Sequence, residues 1–145
     1  MCMCGQVLPR TSFPHAVGQA ALGIVCREGD ARAMELLRPL DHRVTHLCCA
    51  AERALLRQLE GGCKVPIAAS TVWDEPTATL TLRGVVISLA GQRFVDHTAS
   101  AAVSDRADAV ALGQTVVRTR FELPAAGTWS DCRKRRLRCR VCQWV

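Results

Sequence analysis

The spacing of hydrophobic and polar residues in this 145-residue chain changes near its middle. Between residues 41 and 60, apolar side chains recur at steps of three and four, which predicts a long amphipathic helix that Asp41 begins. The apolar positions are Val44, Leu47, Cys48, Ala51, Leu55 and Leu59. Charged residues lie mostly off this stripe, and Glu52 and Arg53 are expected to form a helix-surface or interdomain contact. Gly61 and Gly62 follow, and glycine readily adopts the left-handed conformation that ends a helix.

Beyond residue 64 the pattern alternates, as it does in half-buried strands. The three predicted strands are 65–73, 79–88 and 93–103. Their connections are short enough for hairpins, so the sheet should be antiparallel. A last helix is expected from Asp105 through Val117, and the residues on its buried face are Ala109, Leu112 and Val116. The predicted fold class is therefore α+β, a three-stranded antiparallel sheet packed against helices.

The two ends of the chain are less regular. Residues 1–15 have no periodicity and predict an irregular leader. An apolar stretch within residues 16–27 reads as a short buried strand, and Asp30 can cap a short helix that ends near Leu37. Residues 119–145 combine proline, glycine and a basic run, and we expect this tail to be disordered.

Composition restricts the class of protein. Hydrophobic residues make up 49% and charged residues 22%, a balance typical of a folded domain. The net charge of +6 comes from six basic residues within 133–140, so it does not by itself indicate a nucleic-acid partner. No apolar run approaches the roughly 20 residues that span a bilayer, and no secretory signal is recognisable. We therefore expect no membrane partner and a cytoplasmic location.

Cys63 follows two glycines at the predicted junction between helix and strand. Without β-carbons beside it, the thiol would be accessible to a bulky group, which suits a covalent attachment point. A helix C-terminus disfavours the thiolate, so an independently acting nucleophile fits this position less well. Taken alone, a cysteine in such a turn is more often incidental than functional.

Two longer motifs point to a family. Residues 51–67 read AERALLRQLEGGCKVPI and residues 16–24 read AVGQAALGI. In this order and spacing they closely resemble the C-terminal part of porphobilinogen deaminase, also called hydroxymethylbilane synthase. The resemblance extends from about Phe13 to Val117, which is less than half of a full-length family member.

The resemblance implies a specific chemistry. Enzymes of this family join four porphobilinogens into a linear hydroxymethylbilane in tetrapyrrole and haem biosynthesis, releasing ammonia at each step. The pyrrole product grows on a dipyrromethane cofactor, which a thioether joins to the cysteine of a Glu-Gly-Gly-Cys turn. That cysteine is Cys63 here, and Gly61 and Gly62 precede it. The implied partners are porphobilinogen and the growing linear pyrrole chain.

Gln19 is the other cofactor-binding residue that the resemblance implies. It lies in the family's Gly-Gln-Gly motif and could face the active-site cleft, although Ala20 replaces the second glycine. A polar residue bonded to neighbouring backbone is an equally good interpretation of Gln19.

The resemblance also divides the chain. Residues 16–27 match a crossover strand that belongs to the N-terminal domain in relatives, and residues 28–118 match the cofactor-bearing C-terminal domain. In the family, two N-terminal domains supply the cationic cleft and the catalytic carboxylate. Nothing before Phe13 resembles them, so we assign no catalytic residue and expect the chain alone to lack full activity.

The basic tail suggests an alternative, a non-enzymatic protein that binds nucleic acid or zinc. Its cysteines are Cys132, Cys139 and Cys142, with Cys2 and Cys4 at the other end. The spacing lacks a well-placed fourth ligand, so no metal site is assigned.

Overall fold

The computed structural model describes residues 5–59, 66–88, 91–92 and 94–120. Its elements in chain order are α1 (Ala31–Leu37), α2 (Arg43–Gln58), β1 (Ile67–Asp74), β2 (Thr79–Ile87), β3 (Phe94–Ala102) and α3 (Arg106–Arg120). One 3-10 turn, Arg38–Leu40, lies between α1 and α2. The predicted α+β class is confirmed.

The three strands form one sheet in the order β1-β2-β3, and both pairs are antiparallel, as predicted. Gly84 lies at its centre, opposite Ala69 on one side and His97 on the other. Because side chains alternate between the faces of a strand, Leu80, Leu82 and Val86 share one face, and all three are buried. That face packs against the helices and forms the core.

Helices α2 and α3 cover this face and pack against each other. The predicted buried face of α3 is confirmed, because Ala109, Leu112 and Val116 all belong to the core cluster. Two glycines let α2 approach its neighbours closely. A Cβ at Gly113 would overlap the carbonyl oxygen of Ala51 in α2, and a Cβ at Gly84 would lie 2.5 Å from Leu55 Cδ1.

The helix starts are set by side-chain caps. Asp30 caps α1 as predicted, since its Oδ1 accepts from Ala33 N at 3.0 Å. The prediction that Asp41 opens α2 is wrong by one residue, because His42 is the N-cap and its Nδ1 accepts from Thr45 N at 3.3 Å. Asp41 instead ends the 3-10 turn, with its N–H bonded to Arg38 O at 3.1 Å.

The predicted crossover strand within residues 16–27 does not form. Residues 17–20 make turns, with Gly18 and Ala20 both at φ 68°, and residues 21–27 are irregular. A strand requires hydrogen bonds from a neighbouring strand, and no strand in the described ranges lies beside this segment. Leu22, Ile24 and Val25 are consequently exposed.

Residues before this segment and at its start lie on the domain. His15 O accepts from Ala69 N at 3.0 Å along the free edge of β1, and Arg10 O accepts from Arg83 Nη1 at 3.4 Å. Val17 packs against the core. We call residues 20–41, which follow this docked stretch, the arm.

No helix in the described part of the chain has both the length and the hydropathy needed to cross a membrane. The predicted tail begins inside α3, which continues to Arg120. Residues 121–145 of that tail lie outside the described residues.

Candidate functional site

The predicted attachment residue Cys63 and its neighbours Gly61 and Gly62 lie outside the described residues. The structure describes the two elements that this stretch connects. Leu59, just after α2, donates its N–H to Leu55 O at 3.1 Å, and Pro66, just before β1, accepts from Ile87 N at 2.9 Å. Hydrogen bonds therefore fix the backbone at Leu59 and at Pro66, the two described residues that border this stretch.

Packing also holds the end of α2 in place. Leu55 is 0% exposed, and its side chain lies over Gly84 at the centre of the sheet. Leu59 packs against the core cluster from its edge. The end of α2, as far as the structure describes it, is thus fixed by packing as well as by hydrogen bonding.

Gln19 lies in the turn formed by residues 17–20, and its side-chain oxygen accepts from Ala16 N at 2.9 Å. The side chain is exposed and lines a cavity of about 120 Å³ beside β1. The other polar residues that line this cavity are Arg10, His15, Glu52, Ser70 and Thr71. The local backbone bond expected of Gln19 is therefore present, although the residue lies in a turn rather than in a strand.

Glu52 was expected to form a helix-surface or interdomain contact, and the surface interpretation is wrong. The residue is only 8% exposed. Its Oε2 accepts from Gly18 N at 2.7 Å, and its Oε1 accepts from Thr71 Oγ1 at 3.0 Å. The carboxylate thus joins α2, β1 and the turn that carries Gln19. The sequence signal was its position, four residues after Cys48 and three before Leu55, which places it at the border of the apolar stripe.

Two half-buried thiols, Cys48 and Cys49, lie on α2 near this carboxylate. Burial raises the pKa of Cys48; a hydrogen bond with Thr71 opposes the rise and the Glu52 charge adds to it. Burial followed by the same charge raises the pKa of Cys49. Both thiols are therefore held protonated at neutral pH, which makes them poor nucleophiles.

Across the residues that the structure describes, no group of three or more His, Cys, Asp or Glu side chains could hold a metal ion. The cysteines of the alternative zinc hypothesis, Cys132, Cys139 and Cys142, lie outside these residues, as do Cys2 and Cys4. That hypothesis stays untested.

The cavity that Gln19 shares with Glu52 is small. At about 120 Å³ it is smaller than the roughly 300 Å³ at which ligand pockets begin, so it does not enclose a two-ring pyrrole cofactor. A carboxylate, Glu52, also lines it, which disfavours further acidic groups. Gln19 also lines a second cavity of about 380 Å³, so the smaller cavity alone does not limit what its side chain could contact. The other residues that line this second cavity are Val7, Leu8, Phe13, Pro14 and His15.

The described domain coincides with a known family. Residues 46–121, from within α2 to the end of α3, match the family model described as the C-terminal domain of porphobilinogen deaminase. The chain belongs to the porphobilinogen deaminase family. The family resemblance expected from the sequence is confirmed, and the match covers all three strands, α3 and all of α2 except its first three residues.

Curated porphobilinogen deaminases align over longer stretches. The protein of Eremothecium gossypii is 46% identical over 116 residues, covering 79% of this chain and 36% of that protein. The protein of Synechococcus elongatus is 50% identical over 100 residues, covering 69% of this chain and 31% of that protein. The chain thus spans about a third of the length of these relatives.

Proposed function

We propose that this chain is the cofactor-bearing part of a hydroxymethylbilane synthase, a transferase that condenses four porphobilinogens with release of ammonia. Cys63 would hold a dipyrromethane through a thioether, with Gly61 and Gly62 leaving room beside the sulfur. When bound, that group supplies the free pyrrole carbon to which the next unit is joined.

One observation supports the proposal above the others. The Glu-Gly-Gly-Cys sequence joins the end of α2 to the start of β1 in a domain that matches the family model. Leu55 and Leu59 fix the helix end by packing, and Pro66 fixes the strand start by its bond to Ile87. A covalent anchor between two fixed elements can keep one end of a product in place while the other end grows.

The arm is consistent with a contact outside this chain. Its exposed apolar residues include Leu22, Ile24 and Leu40, and exposed apolar patches of this kind mark interaction surfaces. We propose that residues 16–27 contact the N-terminal domains that relatives contain, and that those domains bind the dicarboxylate pyrroles and carry the catalytic carboxylate. The predicted cytoplasmic location stays a prediction.

The covalent attachment can be tested by intact-mass spectrometry. The 145-residue chain is produced together with a complete porphobilinogen deaminase, so that the cofactor is available, and is then purified and weighed. We expect an adduct of the mass of a dipyrromethane, and we expect Cys63→Ser to lose it. Cys49→Ser is the matched control and should keep the adduct, because that thiol is half-buried and protonated.

A bare thiol in the wild-type chain, or an adduct that persists in Cys63→Ser, would contradict the assignment. The same preparations are incubated with porphobilinogen and assayed for hydroxymethylbilane. We expect no turnover from the chain alone, since it spans about a third of its relatives. Sustained turnover would place the whole reaction within these 145 residues.

A further inference from the structure

We propose that Thr71 is a positioning residue, whose hydroxyl acts through the Glu52 carboxylate to fix the turn that presents Gln19. Thr71 lies on β1, Glu52 on α2, and the turn on the segment that precedes the arm. We call the contacts among Thr71, Glu52 and Gly18 the carboxylate bridge. Through these hydrogen bonds, the Glu52 side chain connects α2 and β1 to the turn that carries Gln19.

Each carboxylate oxygen of the bridge has its own donor. Oε1 of Glu52 accepts from the Thr71 hydroxyl at 3.0 Å, and Oε2 accepts from the Gly18 N–H at 2.7 Å. Hydrogen bonds to an ionised acceptor are about twice as strong as neutral ones. Glu52 is 8% exposed, so water has little access to replace either donor. The orientation of the carboxylate therefore depends on both contacts.

Thr71 is suited to hold this orientation. It lies in the middle of β1, opposite Leu82 in the central strand. A β-branched side chain has few rotamers, so the strand backbone fixes the direction in which the hydroxyl points. The hydroxyl donates to Glu52 and also forms a hydrogen bond with the Cys48 thiol. The rigid sheet thus sets the position of one carboxylate oxygen, and the second oxygen sets the position of Gly18.

Gly18 is the last firmly held point before Gln19. Upstream, His15 O is bonded to β1 and Val17 packs against the core. Downstream, the arm begins and its apolar side chains Leu22 and Ile24 are exposed. At φ 68° Gly18 aims its N–H at the carboxylate, a conformation that glycine adopts without strain. Without the bridge, the turn would keep its internal hydrogen bonds and the packing of Val17.

The role of Gln19 in contacting a cofactor rests on the proposed function, but the bridge itself does not. A test on the chain without cofactor therefore separates the two. A negative result for the bridge leaves the proposed attachment at Cys63 unaffected. A negative result for the attachment likewise leaves the exchange measurement at Gly18 valid.

The test is the rate of amide–water exchange at Gly18, measured by NMR on the 145-residue chain. Thr71→Val keeps the shape and removes the hydroxyl, so we expect Gly18 exchange to accelerate about three- to tenfold, the range that loss of one hydrogen bond produces. Thr71→Ser keeps the hydroxyl and should restore exchange to within about twofold of wild type. Glu52→Gln, which removes the charge, should also accelerate exchange.

Thr81→Val is the matched control. The Thr81 hydroxyl bonds to Ser100 Oγ at 2.8 Å on β2, away from the bridge, so this variant should leave Gly18 unchanged. Equal acceleration in Thr81→Val would assign the effect to general loosening of the sheet and overturn the proposal. Unchanged exchange in a folded Thr71→Val would overturn it directly. A serine variant that behaves like valine would assign the effect to packing at position 71, which also overturns it.

Discussion

The domain formed by residues 42–120 and the arm formed by residues 20–41 differ in what their apolar residues contact. Every described buried hydrophobic residue lies between Leu47 and Val117. In the arm, where Leu37 is half-buried, the other large apolar side chains are exposed instead, namely Leu22, Ile24, Val25, Met34, Leu36 and Leu40. Two regions of similar apolar content thus have opposite burial.

Local cues alone do not explain this difference. Helix α1 has an aspartate N-cap, as a stable helix often has, yet none of its seven residues is buried. Helix α2 has 16 residues and buries five of them against the sheet and α3. Short helices are marginal without tertiary packing, so the two helices differ in stability although the cap of each is satisfied. Caps determine where a helix begins, and partners determine whether it contributes to a core.

A leucine-to-alanine substitution in each region is expected to give the largest difference in stability between domain and arm. Leu55→Ala removes a side chain that is 0% exposed, and we expect the free energy of unfolding to fall by about 3–4 kcal/mol. Leu22→Ala removes a side chain that is 94% exposed, and we expect a change within about 0.5 kcal/mol. Urea unfolding followed by circular dichroism measures both.

A comparable loss in Leu22→Ala would show that the arm packs in solution against a surface that the described residues leave open. A loss below about 1 kcal/mol in Leu55→Ala would contradict the tight packing of α2 over Gly84. Either result would remove the distinction between the two regions.

The strands and core helices were predictable because burial on one face gives each of them a periodic pattern. Ala109, Leu112 and Val116 recur at three- and four-residue steps, and all are buried as predicted. The strand expected within residues 16–27 has an equally apolar sequence, but a strand exists only through hydrogen bonds to another strand. Its sequence does not specify which part of a protein supplies that neighbour.

Glu52 illustrates the same limit within the candidate site. A glutamate at the border of an apolar stripe reads as a surface residue, because ionised groups are rarely buried. Its burial depends on two donors, Gly18 and Thr71, that lie 34 and 19 residues away. The attachment motif at Cys63 could be recognised from sequence because it is local and contiguous, whereas the carboxylate bridge depends on contacts that only the fold creates.

The close approach of α2 and α3 gives a second contrast, of smaller size. A methyl group at Gly113 would overlap Ala51 O and lie 2.8 Å from Ala54 Cβ, so Gly113→Ala must push the two helices apart. We expect it to lower the free energy of unfolding by about 1–3 kcal/mol, even though alanine favours helix more than glycine. Thermal unfolding measures the change.

Gly23→Ala in the arm is the matched control, because a Cβ there would meet no atom within 4 Å. We expect its unfolding midpoint to stay near that of the wild type. If Gly113→Ala were neutral or stabilising, the helices would have to separate at little cost, and the contrast with the arm would weaken.

The smallest effect concerns two alanines with left-handed backbone. Ala78, in the turn between β1 and β2, has φ 48°, and Ala20, at the start of the arm, has φ 68°. Glycine relieves the steric strain of this conformation but adds entropy to the unfolded chain. Where the turn unfolds together with the domain, the net effect of replacing alanine by glycine is to raise the free energy of unfolding by about 0.5–1 kcal/mol.

Ala78 O accepts from Val103 N at 2.9 Å, which connects that turn to the core. We therefore expect Ala78→Gly to raise the free energy of unfolding by this amount and Ala20→Gly to leave it unchanged, as measured by urea unfolding. Equal stabilisation by both would mean that Ala20 also unfolds together with the domain, and the boundary between domain and arm would then lie beyond residue 20.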